Sequence, residues 1–158
     1  MTADGLITIR SNYGPKETMD RLESEVKGKG LTVFPHVDHA AGATAGGLSL
    51  DPTDLLIFGN AKGGTPLMQA VQTIGIDLPL KILVWRDAPG QTWLSYNDPH
   101  WLVKRHGIDG AAATAVNGLA SALAGLVQAP CPPRTHIPLP DPTVPSAVPN
   151  AATTTAAF

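Results

Sequence analysis

The chain has a single cysteine, Cys131, among its 158 residues. One thiol cannot close an internal disulfide or build a thiolate cluster around zinc, so burial of apolar side chains must hold the fold. Charged residues are also scarce, at 15% of the chain against a usual share of about 25%. The 11 basic residues do not outnumber the 13 acidic ones, and the net charge is −2. Because no basic field attracts phosphates, we expect no nucleic acid partner.

A stretch long and apolar enough to cross a membrane is missing as well. The least polar run, residues 111–129, is interrupted by Thr114, Asn117 and Gln128, whereas a membrane span needs about 18 strongly apolar residues in succession. The N-terminus lacks the basic segment followed by an apolar one that marks a secretory signal. The sequence therefore predicts a cytoplasmic protein with no membrane partner.

Apolar residues make up 43% of the chain, which at this length is enough for one hydrophobic core. The order of patterns predicts three parts: a compact α+β domain over residues 1–107, an Ala-rich amphipathic helix over residues 108–129 and a Pro-rich tail over residues 130–158. The tail has few large apolar side chains to offset the entropy of ordering it, so it is predicted to be disordered.

The elements of the compact part follow from hydrophobic spacing. Apolar segments predict strands at residues 6–10 and 55–58, and helical spacing predicts a helix over residues 15–27. Residues 80–85 and 92–96 flank the turn sequence Asp-Ala-Pro-Gly and are typical of a hairpin. The order β-α-β-(α)-β-α-β-β-α favours a two-layer α+β fold whose mainly antiparallel sheet has helices on one face.

Other segments carry weaker signals. A strand is expected over residues 31–37, whereas the small residues at 38–50 fit either a short helix or a loop. Thr65 is predicted to cap a helix whose first residue is Pro66. A further helix is predicted to start at residues 98–99 and to end at Gly107.

The loop of residues 59–65, Gly-Asn-Ala-Lys-Gly-Gly-Thr, joins a predicted strand to a predicted helix. Free backbone N–H groups at a helix start favour an anion, so this loop is a candidate binding site. It is not a P-loop, because Thr65 and Pro66 stand where that motif requires Lys and Ser or Thr. The alternative is a tight connection in which Lys62 is solvated.

Residues 36–39, His-Val-Asp-His, form the densest group of metal-ligand side chains. On an extended strand His36 and Asp38 share one face while His39 points to the other. No metal site is therefore predicted, and His36 and His39 remain weak candidates for a metal or haem. The alternative is that Asp38 bonds the backbone at a strand end.

Tyr96 stands at the end of a predicted strand, directly before Asn97 and Asp98. A phenol that faces inward needs a partner, and it can bind a ligand or donate a proton. The alternative is that Tyr96 is a core aromatic and that Asp98 caps the next helix. No Gly-x-Ser-x-Gly motif is present, so nucleophilic hydrolysis has no support.

Three blocks in order resemble the bacterial and archaeal family known as domain of unknown function 302. They are residues 37–43 (VDHAAGA), residues 55–68 (LLIFGNAKGGTPLM), and residues 76–81 (IDLPLK) followed by 93–99 (WLSYNDP). The resemblance extends from about Gly5 to Gly107. It implies a compact two-layer α+β domain that associates as a homodimer and has no established reaction.

The favoured hypothesis is a domain that binds a small anionic or partly apolar ligand as a homodimer. Its candidate ligand-binding residues are Asp38, His39, Asn60, Lys62, Gly64, Thr65, Tyr96 and Asp98. One alternative is an enzyme in which His39 or Tyr96 transfers protons, or in which His39 ligates haem or a metal. Another is an interaction module without a small-molecule site. The sequence requires no cofactor.

Overall fold

The computed structural model describes residues 3–131, which fold around one antiparallel sheet. Most of its helices lie in a second layer on one face of that sheet. A short 3-10 helix, Gln72–Ile76, precedes the central strand. In chain order the strands and α-helices are β1 (Leu6–Arg10), α1 (Pro15–Gly28), β2 (Thr32–Val33), β3 (Val37–Asp38), α2 (His39–Ala45), β4 (Thr53–Gly59), α3 (Ala61–Ala70), β5 (Leu80–Arg86), β6 (Thr92–Asn97), α4 (Pro99–His106) and α5 (Ala111–Gln128).

The strand order is β1-β6-β5-β4-β2, and β3 also pairs with β4. Every pairing is antiparallel, so the predicted α+β fold with a mainly antiparallel sheet is confirmed. The hairpin is confirmed too: Arg86 pairs with Thr92 across a turn in which Gly90 has a φ of 89°. That left-handed conformation favours glycine.

The main core lies between the sheet and two helices, α1 and α5. The spacing that predicted α1 buries Met19, Leu22 and Val26 together on one side of the helix. Alternate residues of the three central strands meet them from the sheet, since side chains in a strand point to opposite faces. These strand residues are Leu56, Phe58, Ile82, Val84, Leu94 and Tyr96, and α5 adds Leu123, Leu126 and Val127.

A second, smaller apolar cluster joins the helices to one another. It contains Leu67 of α3, Ile74 of the 3-10 helix, Val116 of α5, and Ile108 in the connection that precedes α5. Because α5 contributes to both clusters, it joins the second cluster to the main core.

The opposite face of the sheet, here called the open face, contributes to neither cluster. Trp85 and Trp93 stack there with their ring centroids 6.2 Å apart. Strand register places fourteen side chains on this face: Leu6, Thr8, Arg10, Thr32, Val37, Thr53, Leu55, Ile57, Lys81, Leu83, Trp85, Trp93, Ser95 and Asn97.

Two local predictions are corrected by the structure. The strand expected over residues 31–37 is two short strands, β2 and β3, that lie on either side of Pro35, whose missing N–H cannot join a ladder. The cap predicted at Thr65 is wrong: Asn60 caps α3, its Oδ1 accepting from the backbone N–H of Gly63 at 2.7 Å, and Pro66 lies inside the helix.

The end of α5 is tied to the first loop of the chain. Pro130 is buried, and its carbonyl accepts a hydrogen bond from the Ser11 hydroxyl at 3.1 Å. Ser11 also bonds the Thr18 hydroxyl at 2.7 Å. Cys131 packs against the main core. The remainder of the Pro-rich tail, from residue 132, lies outside the described residues.

Burial raises the pKa of the Cys131 thiol to about 11. The thiolate is the reacting species in alkylation, so we expect the folded protein to react with iodoacetamide at mildly alkaline pH roughly a hundredfold more slowly than the unfolded protein. Mass spectrometry of timed samples, with and without denaturant, measures both rates. Equal rates in the two conditions would show that Cys131 is not held against the core.

Candidate functional site

A cavity of about 410 Å³ lies where the end of β4, the start of α3 and the middle of α5 meet. Its floor is Phe58 in the main core, and α5 forms one side. The lining is Leu31, Phe34, Phe58, Gly59, Asn60, Ala61, Gly63, Gly64, Met68, Leu78, Pro79, Leu80, Leu119, Ala122, Leu123 and Leu126.

The cavity is apolar except at one position. Asn60 is the sole lining residue with a polar side chain. Its Oδ1 is used in the cap of α3, which leaves the amide nitrogen as a donor without a partner in the described part of the chain. Asn60 is exposed, so this nitrogen marks the polar mouth of an apolar space.

Two glycines bring the first turn of α3 close to the opposite wall. A Cβ on Gly64 would lie 3.4 Å from Leu78 Cδ1 and 3.8 Å from Met68 Cε. A Cβ on Gly63 would lie 3.2 Å from Asn60 Oδ1, closer than most real contacts of this kind. Glycine at these positions therefore keeps both the cap and the width of the cavity.

The wall formed by residues 78–80 is anchored by a polar cluster that sequence reasoning missed. Asp77 Oδ2 lies 2.7 Å from His106 Nε2, and both side chains are about nine-tenths buried. Arg105 Nη1 lies 3.4 Å from the other carboxylate oxygen, and Thr73 Oγ1 lies 3.3 Å from His106 Nδ1. Asp77 and His106 are 29 residues apart, so no local pattern signals the pair.

The structure separates the residues of the predicted loop site. Asn60 and Gly64 line the cavity. Lys62 and Thr65 belong to α3 and are exposed outside the lining. The segment is a capped helix start, and the sequence signal that could have shown this is Asn60 itself, a preferred cap residue directly after a strand.

Asp38 and His39 lie at the start of α2, away from the cavity lining. The Asp38 carboxylate caps α2 by accepting from Ala41 N–H at 2.7 Å, and His39 is exposed. His36 faces a different carboxylate, with its Nε2 3.5 Å from Asp54 Oδ1. Within residues 3–131, no group of three or more His, Cys, Asp or Glu side chains could hold a metal ion.

Tyr96 is 7% exposed and belongs to the main core. Burial, with a smaller effect of the Asp98 charge, raises the pKa of its phenol. Asp98 caps α4, its Oδ1 accepting from His100 N–H at 2.9 Å. Neither residue lines the cavity, so the eight candidate ligand-binding residues do not form one pocket.

The described fold and the order of its elements define a class of two-layer α+β domains, and comparison with known proteins identifies the family. The family model described as "Domain of unknown function DUF302" matches residues 7–126, and the chain belongs to this family. The match continues beyond Gly107 into α5. A crystal structure of an uncharacterized conserved DUF302 protein from Bacillus stearothermophilus is similar with a TM-score of 0.72 and 23% identity, over 81% of this chain and 99% of that one.

Curated relatives from Brucella are more similar in sequence. Fluoride-specific ion channel FluC 1 of Brucella suis is 45% identical over 115 residues, which are 73% of this chain and 45% of the relative. A protein of the same name from Brucella abortus is also 45% identical, over 43% of its length. The chain thus spans less than half of these relatives. No helix among the described residues is long and apolar enough to cross a membrane.

Asp54 generates a prediction about pH. It lies on the helix-covered side of β4, and its buried Oδ1 has no hydrogen-bond partner among the described residues. Burial raises the pKa of Asp54 above its usual value of 3.8, against the opposing effect of the His36 charge. The folded state therefore favours the protonated acid, and its stability falls as the pH rises from 3.8 through the raised pKa.

We expect Asp54→Asn to increase the free energy of unfolding at neutral pH by up to about 1 kcal/mol. The substitution removes a buried charge and breaks no hydrogen bond of Oδ1, and the contact with His36 that it weakens is long, at 3.5 Å. The gain should vanish in acid below the usual pKa. Urea unfolding across this pH range measures the effect, and Asp109→Asn, at an exposed position, is the control. A loss of stability at neutral pH would show that the ionised Asp54 is satisfied.

Proposed function

We propose that this chain binds a small, largely apolar ligand in the cavity beside Asn60, and that it does so as a homodimer in the cytoplasm. The observation that carries the binding proposal is the cavity itself. Its volume of about 410 Å³ lies within the range of roughly 300–1,000 Å³ typical of small-ligand pockets. The family membership supports no particular reaction.

The apolar lining decides what kind of ligand fits. Apolar cavities of about 150 Å³ stay dry and take up benzene, and the cavity beside Asn60 is more than twice as large. Each methylene transferred from water into such a space contributes about 0.8 kcal/mol. An alkyl chain or a small ring system therefore gains affinity from the walls alone.

Asn60 adds one polar contact at the mouth. Because its carbonyl oxygen caps α3, the side chain offers its amide nitrogen to a ligand oxygen, such as that of an alcohol, a carbonyl or a carboxylate. Lys62 is exposed two residues further along the chain. Of the three oxygen groups, a carboxylate gains most from the positive charge of this lysine. The ligand class is therefore an amphiphile with a short oxygen-bearing end.

The enzyme alternative receives no comparable support. His39 and Tyr96, its candidate proton-transfer groups, lie outside the cavity lining. His106 and Asp77 are paired with each other behind the wall. A binding domain is the function that the geometry favours.

Binding is tested with straight-chain carboxylates and the matching alcohols, added in order of chain length. We expect affinity to rise about fourfold per methylene until the cavity is full, and carboxylates to bind more tightly than alcohols. Isothermal titration calorimetry measures both trends. Fluoride is titrated alongside as a separate probe, since the similar Brucella proteins carry the name of a fluoride channel.

Two substitutions on the same helix provide the control. Ala122 lines the cavity and Ala124 is exposed on α5. Ala122→Phe should fill part of the cavity and reduce affinity at least about tenfold, whereas Ala124→Phe should bind as the wild type does. Binding that is equal in the two variants would place the ligand elsewhere, and a chain-length series without any trend would contradict an apolar site.

A further inference from the structure

The open face has an uncharged centre. Strand register places Thr8, Ser95, Leu83 and Leu55 side by side in a row across four strands. Leu83, on the central strand, is the middle of the face. The cations of the face, Arg10 and Lys81, lie in the outer rows, and none of its fourteen strand positions carries a carboxylate. The Asp87 carboxylate, in the turn between β5 and β6, bonds Trp93 in an outer row. An apolar centre with charge kept outside it is typical of protein–protein interfaces.

The polar side chains near the centre of this face, and both of its tryptophans, are already hydrogen-bonded within the chain. Thr8 Oγ1 lies 2.9 Å from Ser95 Oγ, and the Trp85 indole N–H donates to the same Ser95 oxygen at 2.9 Å. The Trp93 indole N–H donates to Asp87 Oδ2 at 2.8 Å. When another surface covers the centre of the face, these groups therefore lose few hydrogen bonds to water. The covering surface need not supply donors or acceptors to them.

The size of the face fits one copy of the same chain. Five strand positions at about 4.8 Å spacing and six residues at about 3.4 Å give a footprint of roughly 24 by 20 Å, or roughly 500 Å². Two such faces bury on the order of 1,000 Å², which is the lower limit for a specific interface.

We propose that the open face is the interface between two copies of this chain, which pack sheet against sheet. A second copy offers a surface of equal area that is equally apolar at its centre and whose central polar groups are likewise hydrogen-bonded within their own chain. Sheets pack face to face in this way with their strands nearly aligned or nearly perpendicular. The inference rests on the homodimer in the proposed function. It leaves the cavity free, because the cavity lies in the helical layer on the other side.

The test is sedimentation equilibrium of the full chain, which should give a mass about twice the 16.4 kDa of one copy. Leu83→Glu should weaken the dimer at least about a hundredfold, because each dimer would then bury two unpaired carboxylates. Ile76→Glu introduces the same charge at an exposed residue of the 3-10 helix, in the helical layer, and serves as the control, with an effect below about fivefold.

A second measurement does not depend on the folding of a variant at the centre of the face. In a Trp101→Phe background, Trp85 and Trp93 are the remaining tryptophans. We expect acrylamide to quench their fluorescence weakly at concentrations where the dimer forms and more strongly on dilution. If the Leu83→Glu variant still binds straight-chain carboxylates, the ligand site does not require the dimer.

The outcomes separate the interface from the rest of the proposal. A wild-type protein that is monomeric at all concentrations overturns both the homodimer and this interface, but not the ligand site. A dimer that persists in folded Leu83→Glu overturns this interface alone. A monomer whose tryptophans stay shielded on dilution also overturns it.

Discussion

Leu123 and Leu126 of α5 enter the same core as Leu22 of α1 and Phe58 of β4. Full burial of a leucine or phenylalanine contributes about 1.5–3 kcal/mol, so a few such contacts are comparable to the whole stability of a domain of this size. The same helix places Val116 in the second cluster. α5 therefore joins the second cluster to the main core that it shares with α1 and the sheet.

The cavity lies where the two clusters do not meet. Phe58 and Leu123 reach it from the main core, and Met68, Leu78 and Leu119 reach it from the second cluster. Protein interiors are close-packed and leave few voids larger than a water molecule. In a gap of about 410 Å³ the lining side chains lack the van der Waals contacts that larger neighbours would provide. A bound ligand supplies those contacts. The glycines of α3 keep the gap open, and Ala122 of α5 lines it with a small side chain.

Features that depend on neighbouring residues could be predicted from the sequence. The apolar spacing of α1, the turn between β5 and β6, and the order of strands and helices follow from short-range patterns, and the structure confirms them. The segment starting at Asp38 was ambiguous because small residues fit either a helix or a loop. The start of α3 was mistaken because Thr65-Pro66 is a common helix opening, while Asn60 is an equally common cap and forms the actual one.

The candidate site was harder to predict because it depends on contacts between distant segments. Polar residues at the ends of strands and helices were expected to converge on one site. Instead, Asp38 and Asp98 each cap the helix that follows them, and Tyr96 is buried in the main core. The residues that do converge are apolar except for Asn60, and they come from two strands, two helices and several connections. No periodicity within one segment reveals such a set. The Asp77–His106 pair behind the wall likewise joins two chain segments that carry no shared motif.

The turn between β5 and β6 fixes which residues belong to the core and which to the open face. Asp87 N–H donates to the Gln91 carbonyl and Gly90 N–H to the Asp87 carbonyl, both at 2.9 Å. These two bonds fix the number of residues between the paired ends of β5 and β6. Adjacent residues such as Leu94 and Ser95 point to opposite faces. Deleting one residue from this turn would move β6 by one register position and turn its buried side chains toward the other face. The length of this loop therefore decides which face of β6 enters the core, and Gly90 supplies the left-handed residue that the turn requires.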